Sequence, residues 1–157
     1  MQRVPMTAEG FRRLEAELRK LKTEVRPAVI RAISDARDHG DLAENAEYHA
    51  ARERQSFIEG RLRELEDKIG RAEVIDVSKL SGDTVKFGAT VTLADEDTDE
   101  RSTYQIVGVD EADVTAGRLS ISAPLARALI NKTVGESVSV QTPAGLRSFE
   151  IVDVKFR

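Results

Sequence analysis

Residues 58–72 read IEGRLRELEDKIGRA, and this stretch decides the architecture of the first half of the chain. Its apolar residues follow one another at intervals of four, three, four and three positions: Ile58, Leu62, Leu65, Ile69 and Ala72. A narrow apolar seam with this period is typical of a helix that packs against one partner in a coiled coil. Tyr48, Ala51 and Gln55 continue the seam towards the N-terminus, so we predict one long helix that runs into the next region near residues 71–76.

The N-terminal part of the chain carries a partner seam. Thr7 is a good N-cap for a helix. Beyond it, apolar residues recur at alternating spacings of three and four: Phe11, Leu14, Leu18, Leu21, Val25 and Ala28. Pro27 should kink this helix because it lacks a backbone donor, and the apolar positions then move to Val29, Ile33 and Ala36.

The connector between the two seams is short, around residues 40–44, so the two helices must be antiparallel neighbours. We predict a helical hairpin with arms of about 30 residues, roughly 45 Å long. Alanines cluster beside the turn: Ala32, Ala36, Ala43, Ala46, Ala50 and Ala51. Because small side chains let two backbones approach, we expect the tip of the hairpin to be thin.

The second half of the chain has the period of β-strands. Short segments rich in Val, Ile, Thr and Phe predict six strands: 73–77, 84–87, 89–94, 103–109, 137–141 and 147–156. The segment 122–130 opens with a serine that can cap a helix and has Pro124 near the first turn, which predicts one short helix. We therefore predict an α+β chain with a coiled-coil hairpin domain at 1–76 and a globular sheet domain at 77–157.

Composition excludes several classes of function. The 157 residues include no cysteine, which excludes a disulfide scaffold, a thiol nucleophile and a zinc–thiolate site. No apolar run approaches the roughly 20 residues of a membrane span, so we expect a cytoplasmic protein with no membrane partner. The net charge is −4, and neither half is a polyphosphate-binding surface by bulk charge. We find no phosphate-binding glycine loop and no nucleophile elbow, so a self-contained active site is not expected.

The predicted turn, residues 38–46, reads DHGDLAENA and has two interpretations. In the first, Asp41 caps the second helix and Glu44 completes an acidic relative of the capping box. In the second, the two carboxylates are presented to another macromolecule. Magnesium is usually held by one or two carboxylates together with substrate phosphates and water, so Asp41 and Glu44 would bind it only by completing a site elsewhere.

Basic side chains near the turn also have two interpretations. Arg37, Arg52 and Arg54 either pair with neighbouring carboxylates or contact the phosphates of a nucleic acid that reaches the tip.

The acidic run 95–100 does not match a calcium loop, because glycine and the bidentate glutamate are missing from their positions; we predict a solvated hairpin turn there. The two histidines, at positions 39 and 49, match no metal motif and are expected at the surface.

Residues 40–53, GDLAENAEYHAARE, closely match a known tip motif. Shorter matches extend along the rest of the sequence: 5–7, Gly10, 87–91, 106–108, 110–113 and 122–132. Over essentially the whole chain the sequence resembles the GreA/GreB family of bacterial transcript cleavage factors. It is more similar to the GreA branch, because residues 50–53 stand where the other branch is more basic.

The resemblance implies a coiled coil that enters the secondary channel of RNA polymerase and a C-terminal domain of FKBP-like fold that docks near the channel mouth. It assigns the two catalytic, metal-contacting carboxylates to Asp41 and Glu44 and the RNA-binding side chains to Arg37 and Arg52. The polymerase-binding segment corresponds to three residues: Ser122, Ala123 and Pro124.

The implied function is stimulation of the polymerase's own cleavage of the 3′ end of backtracked RNA, which rescues arrested complexes. The chain would hold no cofactor stably alone and would share Mg²⁺ with the polymerase active centre through Asp41 and Glu44. Its partners would be bacterial RNA polymerase and the nascent RNA 3′ segment, and the chain itself would be a monomer and not an enzyme.

Three alternatives remain. A channel-binding inhibitor of transcription could share the architecture without cleavage, although the two tip carboxylates oppose it. An FKBP-like prolyl isomerase is disfavoured because five Phe and two Tyr are too few for an apolar proline pocket. A generic coiled-coil adaptor would need only the two seams.

Overall fold

The structure is a computed structural model that describes residues 2–40 and 44–157. The chain forms two compact units, one of Phe11–Arg71 and one that combines Met1–Gly10 with Ala72–Arg157. The sheet-bearing unit thus includes the first ten residues, whereas the sequence suggested a domain limit between residues 76 and 77. Among the described helices, none has both the length and the apolar character that a membrane span requires.

Three α-helices build the helical unit: α1 (Ala8–Lys20), whose first three residues belong to the other unit, α2 (Arg26–Arg37) and α3 (Ala46–Arg71). A π-helical turn, Leu21–Val25, links α1 to α2 directly ahead of Pro27. The irregularity expected at this proline therefore takes the form of a π-helical turn. Helix α3 has 26 residues, which corresponds to about 39 Å.

The apolar seams predicted from the sequence form the core of the hairpin. One cluster of buried residues joins its arms: Val29, Ile33, Ala51, Ile58 and Leu62. The small residues Ala36 and Ala51 are 3% and 7% exposed, so the arms pack closely near the turn, as predicted.

Ion pairs connect the two arms and show that they are antiparallel neighbours. Arg26 donates to both carboxylate oxygens of Glu59, at 2.8 and 2.6 Å, and Arg61 donates to both oxygens of Glu17, at 2.7 and 2.8 Å. The Arg61 hydrogen bond lowers the pKa of Glu17. These partly exposed pairs fix the register of the hairpin more than they stabilise it.

The other unit contains a five-stranded mixed sheet with one short helix. Its strands are β3 (Thr90–Asp95), β4 (Arg101–Val107), β5 (Arg118–Ser120), β6 (Ser137–Thr142) and β7 (Gly145–Lys155). They lie in the order β5-β4-β3-β7-β6, and only the β4–β5 pair is parallel. Helix α4 (Pro124–Leu129) packs Ala126 and Leu129 into the sheet core. The predicted α+β class is confirmed.

A second, two-stranded sheet joins β1 (Val4–Thr7) to β2 (Ala72–Ile75) in parallel register. Strand β1 and the three-residue strand β5 were not predicted from the sequence. The strand predicted at 84–87 is wrong: Thr84 makes only an isolated bridge to Thr133. Val85 is instead held by the loop after α4, because its N–H donates to Lys132 O at 2.7 Å.

Two local predictions in this unit need correction. Ser122 does not cap α4; Ala123 occupies the cap position, and the Ser122 hydroxyl lies 2.8 Å from that of Ser120. The hairpin turn after β3 is present, but Asp95 at its start is buried rather than solvated. Its carboxylate accepts the N–H groups of Asp97 and Thr98, which tightens the turn.

Candidate functional site

The tip of the hairpin lies between the end of α2 and the start of α3. Helix α2 ends at Arg37, and Gly40 follows with a φ of +78°, a left-handed conformation that glycine adopts without strain. Glu44 and Asn45 precede α3, which begins at Ala46. Asp41 lies outside the described residues, so its assignment as a metal ligand stays a prediction.

Asn45 connects the two arms at the tip. Its Oδ1 accepts the N–H of Tyr48 at 3.0 Å, which caps the first turn of α3. Its Nδ2 donates to the backbone oxygen of Ala36 at 2.6 Å, and Gly40 O lies 3.4 Å from the same nitrogen. The side chain therefore satisfies backbone groups at the end of one helix and at the start of the next.

This arrangement corrects the predicted capping box. Glu44 lies in a turn two positions before the first residue of α3, so it cannot occupy the third helical position that a capping box requires. The cap belongs to Asn45 because a carboxamide can both accept from Tyr48 and donate to Ala36, whereas an ionised carboxylate only accepts. Glu44 is consequently not used in helix capping.

Glu44 is exposed and belongs to a pocket of about 220 Å³ that His39, Gly40 and Asn45 also line. No described residue makes a hydrogen bond or ion pair with its carboxylate. As far as the described residues are concerned, both carboxylate oxygens are therefore available to a ligand from another molecule. His39, which we expected at the surface, is exposed and lines the same pocket.

The described residues do not form a complete metal site. Within 2–40 and 44–157, no three His, Cys, Asp or Glu side chains are grouped closely enough to hold an ion. A single exposed carboxylate such as Glu44 is nevertheless suited to Mg²⁺, because this ion usually keeps several water ligands and binds only one or two protein carboxylates. Further ligands would have to come from Asp41 or from another molecule.

The structure brings Arg37 and Arg52 together. Both are exposed, and both line a pocket of about 210 Å³ between α2 and α3, together with Ser34 and Gln55. Neither guanidinium has a hydrogen bond or ion pair with any described side chain. The interpretation that pairs them with nearby carboxylates is therefore not supported within the described part of the chain.

The predicted polymerase-binding residues lie in the other unit, at the start of α4. Ser122 and Pro124 are exposed, and Ala123 is half-buried against the sheet core. Pro124 begins the helix and Ser122 bonds to Ser120, so this surface has a defined backbone conformation.

Asn45 is the tip residue that the sequence analysis missed. Asparagine is among the strongest N-cap residues, and this one directly precedes the first residue of α3. That preference was the available signal, but Asp41 satisfies the same rule and competed with it.

Profiles of known protein families match both halves of the chain. A family profile described as "Transcription elongation factor, N-terminal" matches residues 4–74, and one described as "Transcription elongation factor, GreA/GreB, C-term" matches residues 80–156. The chain is 65% identical over 156 residues to a protein of Rhodospirillum rubrum named transcription elongation factor GreA, with 99% of each chain covered.

Two further relatives extend the comparison. A protein of the same name from Maricaulis maris is 63% identical over 156 residues, again with 99% of each chain covered. Among solved structures, GreA factor homolog 1 of Thermus thermophilus is 29% identical, with a TM-score of 0.45 and coverage of 98% of this chain and 99% of that one.

Proposed function

The chain belongs to the GreA/GreB family of transcription elongation factors, and from this membership we propose that it stimulates RNA cleavage by backtracked RNA polymerase. The observation that carries the proposal is the exposed Glu44 carboxylate at the turn of a narrow hairpin, which no described residue engages. As a monomer, the chain would insert this tip into the polymerase's secondary channel.

The exposure of Glu44 supports the role proposed for it as a metal ligand. Together with Asp41, it would complete the coordination of a Mg²⁺ ion that the polymerase's own carboxylates hold weakly. Such an ion, when bound, would supply electrostatic stabilisation for hydrolysis of the RNA phosphodiester. Because Glu44 spends neither oxygen on helix capping, both can accept from a coordinated water or contact the ion.

Arg37 and Arg52 would hold the extruded 3′ segment of the RNA. Two guanidinium groups in one pocket, with Ser34 and Gln55 beside them, suit contacts to phosphate oxygens and sugars. Such contacts give affinity without sequence preference, which a factor acting on arrested complexes at many sequences requires. The exposed Ser122 and Pro124 at the start of α4 would contact the polymerase near the channel mouth.

The body of the hairpin is suited to delivering this tip. Its buried alanines keep the arms close, and the cross-arm pairs Arg26–Glu59 and Arg61–Glu17 hold the register on which the position of Glu44 depends. An inhibitor that only fills the channel would need the shape but no available carboxylate at the turn.

The decisive experiment adds the purified chain to a backtracked elongation complex in Mg²⁺ and measures short 3′ RNA products. The wild-type chain should accelerate cleavage, and it should release nothing from free RNA. Glu44→Ala should lower stimulated cleavage by roughly a hundredfold or more, as expected for loss of a metal-contacting carboxylate.

The matched control for this experiment is Glu47→Ala. Glu47 is also exposed, but it lies in the first turn of α3 rather than in the turn itself. Both variants should compete with the wild-type chain for polymerase. If the Glu44→Ala and Glu47→Ala variants stimulate cleavage by the polymerase at the same rate, the proposed role of Glu44 is wrong.

A further inference from the structure

We propose that Asn45 is a positioning residue that fixes the Glu44 carboxylate by clamping the start of α3 to the end of α2. The proposal rests on the function proposed above, because it concerns the same carboxylate. It starts from two hydrogen bonds of one side chain: Nδ2 donates to Ala36 O at 2.6 Å, and Oδ1 accepts from Tyr48 N at 3.0 Å.

The two hydrogen-bond partners require a side chain that carries both a donor and an acceptor. Ala36 offers a carbonyl oxygen, which can only accept, and Tyr48 offers an N–H, which can only donate. The amide orientation therefore follows from its partners. An aspartate here would set an oxygen against the Ala36 carbonyl, and a serine hydroxyl is too short to reach both helices.

Glu44 depends on this clamp because it has no other described anchor. Its side chain makes no hydrogen bond or ion pair within the described residues, and one peptide bond joins it to Asn45. The two side chains also line the same pocket. The backbone that carries Glu44 is thus fixed to α2 through Asn45, on the side of the turn that leads into α3.

Coordination of Mg²⁺ is sensitive to the position of each ligand atom. The ion demands near-ideal octahedral geometry at about 2.0–2.1 Å, and catalytic groups misplaced by about 1 Å lose about a hundredfold in rate. A tip whose arms are joined only by the covalent turn would spend part of its time with Glu44 displaced. A clamp between the helices raises the share of molecules in which the carboxylate meets the ion.

Two substitutions separate clamping from capping. Asn45→Ser keeps a good N-cap acceptor for Tyr48 but removes the bond to Ala36, whereas Asn45→Ala removes both. We expect Asn45→Ser to keep the wild-type helix content, to melt above Asn45→Ala and to compete normally for polymerase. It should need about five times more Mg²⁺ for half-maximal stimulated cleavage, the fold-change that corresponds to one lost hydrogen bond.

A measurement without polymerase tests the clamp directly. The chain has no native cysteine, so spin labels can be attached at Asp35→Cys on α2 and Glu47→Cys on α3, both exposed positions. Asn45→Ser should broaden the distribution of distances between the labels. The same labels without a change at Asn45 provide the reference.

The outcomes separate this proposal from the one on which it rests. If Asn45→Ser matches the wild type in label distances and in Mg²⁺ requirement, while Asn45→Ala is defective, Asn45 is only a helix cap and the proposal is wrong. If Glu44→Ala leaves cleavage unchanged, the proposed function fails, and a broadened label distribution in Asn45→Ser would still establish the clamp.

Discussion

Glu111 binds Thr7 with both of its carboxylate oxygens. Its Oε2 accepts the Thr7 N–H at 2.8 Å, and its Oε1 accepts the Thr7 hydroxyl. The same hydroxyl oxygen accepts the N–H of Gly10 at 3.1 Å, which confirms Thr7 as the N-cap of α1. Oε2 also accepts the N–H of Gly108 at 2.8 Å, so one carboxylate joins the end of β1 to the loop after β4.

Removal of this carboxylate should destabilise the fold. Glu111→Ala leaves three donors without their acceptor, two of them backbone N–H groups, and each unsatisfied buried group costs about 1–3 kcal/mol. Because water reaches part of the site, we expect a loss of about 2–4 kcal/mol in the free energy of unfolding, measured in urea. Glu100→Ala, at an exposed position in the hairpin turn after β3, is the control and should change it by less than about 0.5 kcal/mol. Equal effects of the two substitutions would contradict the role given to Glu111.

Glycine is required beside this carboxylate. A Cβ atom at Gly10 would lie 2.0 Å from Glu111 Oε1, far inside contact distance. The side chain of Glu111 can approach the first turn of α1 only because residue 10 has none. The sequence shows a glycine inside a predicted helix, where it is unfavourable, but nothing local identifies the carboxylate it accommodates.

The helical hairpin could be predicted because a buried seam imposes its period on the sequence. Ile58, Leu62 and Leu65 recur at helical spacing and are all buried. The pairing of β1 with β2 could not be predicted in the same way. Val4 lies opposite Ala72, and no local pattern in four residues identifies a partner so distant in sequence.

The tip shows why local rules were insufficient at the candidate site. Asp41 and Asn45 are both good N-cap residues, and a glutamate three positions after Asp41 favoured the earlier start. The outcome depends on the Ala36 carbonyl, which only the folded hairpin brings within reach of Asn45. The exposure of Arg37 and Arg52 could be expected from the sequence, but their shared pocket depends on the register of the two arms.

The seam should dominate the stability of the hairpin. Leu62 is 2% exposed, whereas Phe57, on the same helix, is 77% exposed. Leu62→Ala should cost about 2–5 kcal/mol because it removes buried methyl groups and leaves a cavity. Phe57→Ala should change the free energy of unfolding by about 0.5 kcal/mol or less, although it deletes the larger side chain. Thermal unfolding followed by helical circular dichroism compares them, and a more damaging Phe57→Ala would show that the seam is misassigned.

Arg52 should contribute one phosphate contact with a characteristic salt dependence. The affinity of a single strand falls with salt with a logarithmic slope of about −0.7 for each neutralised phosphate. Arg52→Ala should therefore weaken crosslinking of the extruded RNA and make the slope shallower by about 0.7. Arg31→Ala removes the same charge from an exposed position on α2 that does not line the pocket, and it should leave the slope unchanged. Identical slopes for both variants and the wild type would show that Arg52 does not contact phosphate.

Asp95 should make the stability of the sheet unit depend on pH. A hydrogen bond from Arg147, whose Nε lies 3.1 Å from Asp95 Oδ2, and the N–H of Asp97 lower the pKa of this buried carboxyl. An aspartate in the unfolded chain has a pKa of about 3.9. The stabilisation is therefore fully present above that pH and is lost as the pH falls through the lower pKa of the folded state.

Asp95→Asn tests this dependence. The variant should melt below the wild type at neutral pH. The difference should shrink below about pH 4, where the carboxyl of the unfolded wild type takes up a proton, and it should be lost as the pH falls through the lower pKa of the folded carboxyl. Asp99→Asn makes the same change at an exposed position whose φ of +61° asparagine tolerates, so its melting temperature should follow the wild type at both pH values. The difference in melting temperature between Asp95→Asn and the wild type could instead stay constant from neutral pH to about pH 3. That result would mean that the size and shape of the Asp95 side chain, and not its charge, stabilise the turn.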